Sequence, residues 1–199
     1  MTHAHEVRSS TEVYAGRIIS VRRDEVTMPG DRSAVRDVVV HPGAVGVVAL
    51  DEAGRVLLVT QYRHPVGRRL AEIPAGLLDV DGEPPLLAAQ RELAEEAGLA
   101  AESWHVLVDA LTSPGMTNEA LHIYLARGVR TVDRDVQEDE ELELTSAWTD
   151  LGEAVAAVLG GEIENAMACI GILATAAAAR EGFAGLRPAD APWPGRSGP

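Results

Sequence analysis

Hydrophobic and polar positions along the chain alternate in short runs, then switch to a helical period, and do so more than once. Residues 13–21, 25–28 and 34–40 read as strand-like runs, with Pro29-Gly30-Asp31 as the turn between the last two. They form a small antiparallel sheet, too small to stand alone, that must pack on the main domain or on a second copy of the chain. Residues 1–10 read as frayed. His41-Pro42-Gly43 marks a boundary, followed by a buried strand at 44–50, a hairpin turn at 51–54 and a return strand at 55–62. Pro84 and Pro85 suit the first turn of a helix, where missing N–H groups cost little. Leu86, Ala89, Leu93 and Ala97 recur at helical spacing as its buried stripe, and Gly98 is its left-handed C-cap. A strand at 102–110, a loop at 112–119 and a strand at 120–126 follow. The acidic stretch 131–144 then gives way to a strand pattern that begins at Glu141 and ends at Trp148. Asp150 caps a helix at 151–159 that Gly160-Gly161 ends, and Asn165 caps a second at 166–180. The division expected is residues 1–40 as N-terminal strands, 41–184 as the main domain and 185–199 as a flexible tail rich in Pro and Gly, with Trp193 as its one anchor.

Composition narrows the class. The chain has 199 residues, 46% hydrophobic, enough for one domain with a real core. No apolar run approaches a membrane span, and the first ten residues lack the apolar core of a signal peptide. One cysteine, Cys169, allows no internal disulfide and fits a cytoplasmic protein. Net charge is −14 and there is no lysine. That balance argues against broad nucleic-acid binding, but a bound metal and a few arginines suffice to reverse the field locally for a small anionic substrate.

The candidate chemistry lies at the end of the first helix. Glu92, Glu95 and Glu96 stand three and four residues apart and so share one helix face, where they repel one another. A run of this kind read alone is a solvated surface. Its natural complement is a divalent cation, and hard carboxylate oxygens suit Mg²⁺ or Mn²⁺.

The surrounding pattern resembles the box of the Nudix hydrolases. Glu83 is followed by seven residues, Arg91-Glu92-Leu93, one residue, Glu95-Glu96, one residue and Gly98-Leu99, which matches that family at eight specified positions. Six residues rather than the family's five separate Gly76 from Glu83, so the loop before the helix is one residue longer. Gln61-Tyr62-Arg63, Glu72-Ile73-Pro74-Ala75-Gly76 and Pro114, which lies 16 residues after Gly98, resemble the ADP-ribose pyrophosphatase branch.

The resemblance implies an α/β fold, a Nudix α/β/α sandwich with a mixed sheet beside the small N-terminal antiparallel sheet. It implies a homodimer built through that sheet, and Mg²⁺-dependent or Mn²⁺-dependent hydrolysis of ADP-ribose to AMP and ribose 5-phosphate. Glu92, Glu95 and Glu96, with the Ala75 carbonyl, are the implied metal ligands. Glu92 and Glu96 count with Glu141 as catalytic. Glu141, with Glu140 as runner-up, is the base. Arg63 is placed on the diphosphate, its planar fork of donors matched to phosphate oxygens. Glu72 either lies near the metal or pairs with an arginine. Pro114, Gly115 and Met116 form the substrate loop, with Met116 against the terminal ribose. Gly76, Glu83, Arg91 and Gly98 are structural parts of the box. Two other readings stand beside this one: a Nudix hydrolase for a nucleotide sugar, dinucleotide or oxidised nucleotide, and a non-catalytic ligand-sensing domain, which would be expected to have lost box carboxylates.

Overall fold

A computed structural model describes residues 6–133 and 144–193. The first three strands, β1 (Val7–Ala15), β2 (Ser20–Met28) and β3 (Arg32–Val40), form an antiparallel sheet in that order. Two expectations are corrected here. The run 13–21 is not one strand: the chain reverses between Ala15 and Ser20, where the Gly16 N–H donates to the Ile19 carbonyl at 2.8 Å. Gly16 is suited to the turn because a Cβ there would lie 2.9 Å from the Tyr14 ring. Residues 7–10, expected to fray, belong to β1, and the Ser10 hydroxyl donates to the buried Asp24 at 2.6 Å.

The second sheet is mixed. Its path runs β10 (Thr145–Asp150), β5 (Arg55–Arg63), β4 (Ala44–Leu50), β9 (Ala120–Thr131), β8 (Leu99–Leu111) and β11 (Arg187–Pro188). Short strands β6 (Arg68–Glu72) and β7 (Ala75–Leu77) pair with β5 and β4. β4 and β9 pair in parallel, Ala44 opposite Leu121 through Leu50 opposite Arg127.

Every residue of β4 is buried, as expected of a strand covered on both faces. Val45, Val47 and Ala49 pack with Ala88, Ala89 and Leu93 of helix α1 (Pro85–Ala97). Ala44, Val48 and Leu50 pack on the other face with Ala154 of α2 (Leu151–Gly160) and with Ala168 and Ile172 of α3 (Ala166–Arg180). Strand alternation thus sorts one sequence run into two cores and yields three layers, helix on sheet on helices.

The helix ends follow local rules. Gly98, at φ 61°, closes α1 and donates to the Ala94 carbonyl. Asp150 accepts from the Gly152 N–H, and Asn165 from the Ala168 N–H. Ala89 and Leu93 are fully buried as expected, with Leu86 and Ala97 packed beside them, but Ala88 and Glu96 are buried too.

The tail also departs from expectation. Residues 185–193 are docked: Arg187 pairs with Val106 of β8, and Trp193 stacks on His122 with ring centroids 4.7 Å apart. Two anchors account for this, the Arg187–Asp109 ion pair at 2.6 Å and the apolar surface that Ala189, Ala191 and Trp193 bring to the α1-side core.

Gly171 marks the closest approach of α3 to the sheet, where a Cβ would lie 2.8 Å from Val48 Cγ2 and 3.2 Å from Ile73 Cδ1. Gly171→Val therefore overpacks the junction and is expected to destabilise the fold by about 1–3 kcal/mol, read as a lowered thermal midpoint. An unchanged midpoint would show that the two layers are not in tight register there.

Candidate active site

The last turns of α1 carry Glu92, Glu95 and Glu96, and Arg91 gathers the first two together with Glu83. Its guanidinium donates to both oxygens of Glu83 at 3.1 Å, to Glu92 at 2.7 Å and to Glu95 at 2.9 Å. Glu95 lies one helical turn after Arg91, so the spacing brings them together; Glu83 reaches back from the loop before the helix. The side chains of Glu83, Glu92 and Glu95 keep only 16%, 14% and 16% of their surface exposed, which rules out a solvated acidic face. Bonding to Glu83, then the charge of Glu92, holds the Arg91 pKa well above its ordinary value against the opposing effect of burial.

Glu96, one turn after Glu92, lies outside the Arg91 clamp and is only 9% exposed. Its carboxylate accepts from the Ala75 N–H at 3.0 Å. Burial is the main cause that pushes its pKa up to about 8; Glu92 and Glu72 push the same way, while the Ala75 N–H and Arg63 oppose them. The wall opposite α1 is β7. A methyl group on Gly76 would overlap the carboxylate of Glu92, so only glycine lets the helix carboxylates lie this close to the strand. At the neighbouring strand ends, Arg63 makes two bonds to the buried Glu72, at 2.9 and 2.8 Å. Glu72 thus pairs with an arginine, and its charge also reaches Glu96.

One connected cluster thus unites Arg63, Glu72, Ala75, Gly76, Glu83, Arg91, Glu92, Glu95 and Glu96. Gly98 ends the helix that presents it. Pro114, Gly115 and Met116 lie on an exposed loop whose Met116 carbonyl is bonded to β3 through the Val39 N–H at 2.8 Å. Glu140 and Glu141 lie outside the described residues. Sequence reasoning passed over the chain from Arg187 through Asp109 to the buried His122, which is sandwiched against Trp193 and Tyr124. Its signal was a histidine inside the apolar run of β9, at a position that alternation assigns to the interior.

The donor types fit a divalent cation: hard carboxylate oxygens, largely shielded from water, one of them on Glu96, whose burial pushes its pKa up. Among the described residues no three acidic, histidine or cysteine side chains converge on one point. Arg91 Nη1 is shared by Glu92 and Glu95 instead, and an ion would compete with it for those oxygens.

Comparison with known proteins bears on the same region. The NUDIX domain matches residues 40–167, and the nucleoside diphosphate sugar hydrolase N-terminal domain matches residues 6–39. The chain is 50% identical over 191 residues to an ADP-ribose pyrophosphatase of Mycobacterium tuberculosis (strain ATCC 25618 / H37Rv), covering 96% of this chain and 92% of that one. It is 36% identical over 141 residues to a methanol dehydrogenase activator of Bacillus methanolicus, covering 70% and 76%. A solved structure described as an ADP compounds hydrolase superposes with a TM-score of 0.79 at 18% identity, over 90% of this chain and 96% of that one, which shows a shared fold.

Because the folded-state pKa of Glu96 stands above its ordinary 4.5, at about 8, the folded protein binds the extra proton through that window. Stability of the metal-free protein is then greatest below 4.5 as far as Glu96 is concerned, and falls as pH rises toward 8. Thermal melts with chelator across this range should show the decline, and Glu96→Gln should flatten it. An equal slope in the variant would assign the pH dependence elsewhere.

Proposed function

The chain belongs to the NUDIX family, and from that premise we propose that it hydrolyses ADP-ribose at the diphosphate, giving AMP and ribose 5-phosphate. The observation that carries the reading is the intact set of α1 carboxylates, Glu96 buried and Glu92 and Glu95 mostly shielded, beside Ala75 and Gly76, in a chain that aligns almost end to end with an ADP-ribose pyrophosphatase. In this reaction water adds across P–O–P: one phosphate leaves with adenosine, the other with ribose.

Glu92, Glu95, Glu96 and the Ala75 carbonyl would hold the metal ion, taken as Mg²⁺ with Mn²⁺ as the alternative. Bound there, it supplies charge neutralisation for the diphosphate and a lowered pKa for the attacking water. The chain's own residues do the rest. Arg91, fixed by Glu83, orients the helix carboxylates and offsets their mutual repulsion. Gly76 gives Glu92 room. Glu72 orients the planar fork of Arg63, which suits it to bind a phosphate oxygen. Glu141 takes the proton from water, and Pro114, Gly115 and Met116 contact the substrate's ribose end.

A second reading, a nucleoside diphosphate sugar as substrate, draws on the match of residues 6–39 to the N-terminal domain of such hydrolases. We read the protein as a homodimer, because the N-terminal sheet leaves Val7, Val13, Tyr14, Ile18 and Val35 half or more exposed. Among the described residues no helix is long and apolar enough to cross a membrane, and the single cysteine favours the cytoplasm.

AMP release from ADP-ribose should be fast with Mg²⁺ and abolished by chelator, with ADP-glucose, GDP-mannose and diadenosine compounds turned over poorly. Turnover confined to one of those compounds would replace the substrate, and silence across the whole panel would replace the enzyme reading by a ligand-sensing one. Glu141→Gln should lower kcat by about 10²–10⁴-fold while ADP-ribose binding, measured by calorimetry, stays close to wild type. Strong residual turnover would move the base elsewhere.

A further inference from the structure

The parallel pairing of β4 with β9 continues past its first residue. Upstream of the Ala44–Leu121 pair, Val39 at the end of β3 bridges Thr117 in the same parallel sense, one residue out of register with β4. Pro42 sits in the gap and has no N–H to give to a ladder. Three bonds tie the two segments: the Val39 N–H to the Met116 carbonyl at 2.8 Å, the Asn118 N–H to the Val39 carbonyl at 3.3 Å, and the His41 N–H to Asn118 Oδ1 at 2.8 Å. Thus the Asn118 side chain stands where regular pairing would put a main-chain carbonyl.

The surroundings stiffen this joint. His41 Nδ1 accepts from the Gly43 N–H at 3.0 Å, so the neutral ring carries its hydrogen on Nε2, which faces Glu119 at 3.9 Å. Glu119 in turn accepts from the Thr112 hydroxyl at 2.6 Å and closes the base of the 113–116 loop. The tip is a tight turn, with the Met116 and Thr117 N–H groups both on the Ser113 carbonyl at 3.0 Å. Met116 itself is 60% exposed. The loop therefore cannot shift without either carrying β3 along or breaking these bonds.

We propose that Asn118 is a positioning residue whose side chain, bonded to the His41 N–H just past β3, helps hold the 113–116 loop against the end of that strand, so that affinity for substrate depends on where the three-stranded sheet sits. This rests on the reading of Pro114–Met116 as a substrate contact. A second copy of the chain seated on that sheet would act on substrate affinity through the same bonds.

The test is steady-state kinetics with ADP-ribose on the full chain, for wild type, Asn118→Ala, Met116→Ala and the double variant, with thermal midpoints for each. Loss of one bond should raise KM about three- to tenfold in Asn118→Ala, with kcat and the midpoint near wild type. Met116→Ala should raise KM as well, and adding Asn118→Ala to it should bring little further loss, because both act through one contact. Wild-type turnover with an unchanged KM in Asn118→Ala overturns this inference alone. Parallel falls in kcat and midpoint also overturn it, since they describe a merely structural residue. An unchanged KM in Met116→Ala removes the loop contact and this inference with it, and absence of wild-type turnover removes the substrate reading on which both stand.

Discussion

Three carboxylates held on one guanidinium are the arrangement on which the rest of the site depends. Without Arg91, the negative charges of Glu83, Glu92 and Glu95 would meet with little solvent to screen them. With it, α1 can bring Glu92 against β7 at a range that the missing Cβ of Gly76 permits. Glu96 is left outside this clamp, on the inward side, with the Ala75 N–H as its hydrogen-bond donor. The result is a set of carboxylates neutralised by Arg91 on one side, with Glu96 buried on the other against the Ala75 N–H. That asymmetry is what a cation and a diphosphate would exploit.

The clamp holds its place only because α1 is fixed on the sheet. Ala88, Ala89 and Leu93 dock on Val45, Val47 and Ala49, while the alternate residues of the same strand face α2 and α3. β4 is therefore the shared wall of both cores. It is also the partner of β7, which carries Ala75 and Gly76, so one strand positions the helix and the main chain that faces it. The same strand, through its parallel pairing with β9 and the extension of that pairing to Val39 and Thr117, connects the N-terminal sheet to the 113–116 loop. The 113–116 loop, the carboxylate helix and the N-terminal sheet thus share β4 and its pairing with β9 as a common reference.

Much of this was legible from residue order. The α1 box, its stripe and its Gly98 cap, the strands at β4, β5 and β9, and the capping residues Asp150 and Asn165 all follow rules that act within a few residues. The N-terminal hairpin was missed because Val13, Ile18 and Val21 continue an apolar pattern through Gly16, and a reversal there needs only one glycine and one hydrogen bond. Residues 185–193 looked like tail because their Pro and Gly content argues against regular structure. What holds them is long-range, a β8 edge with Asp109 for Arg187 and the His122 ring for Trp193.

The sequence by itself determined which residues could carry the chemistry, since helical spacing alone brings Arg91 next to Glu95 and Glu96 one turn after Glu92. Only the tertiary structure decided how those residues are used. Burial gives Glu96 a different proton affinity from an exposed glutamate, Glu72 captures Arg63 from nine positions away, and Asn118 reaches His41 across 77. The physical reason is that periodicity fixes directions within one element, whereas desolvation and hydrogen-bond partnership depend on which other element is packed against it.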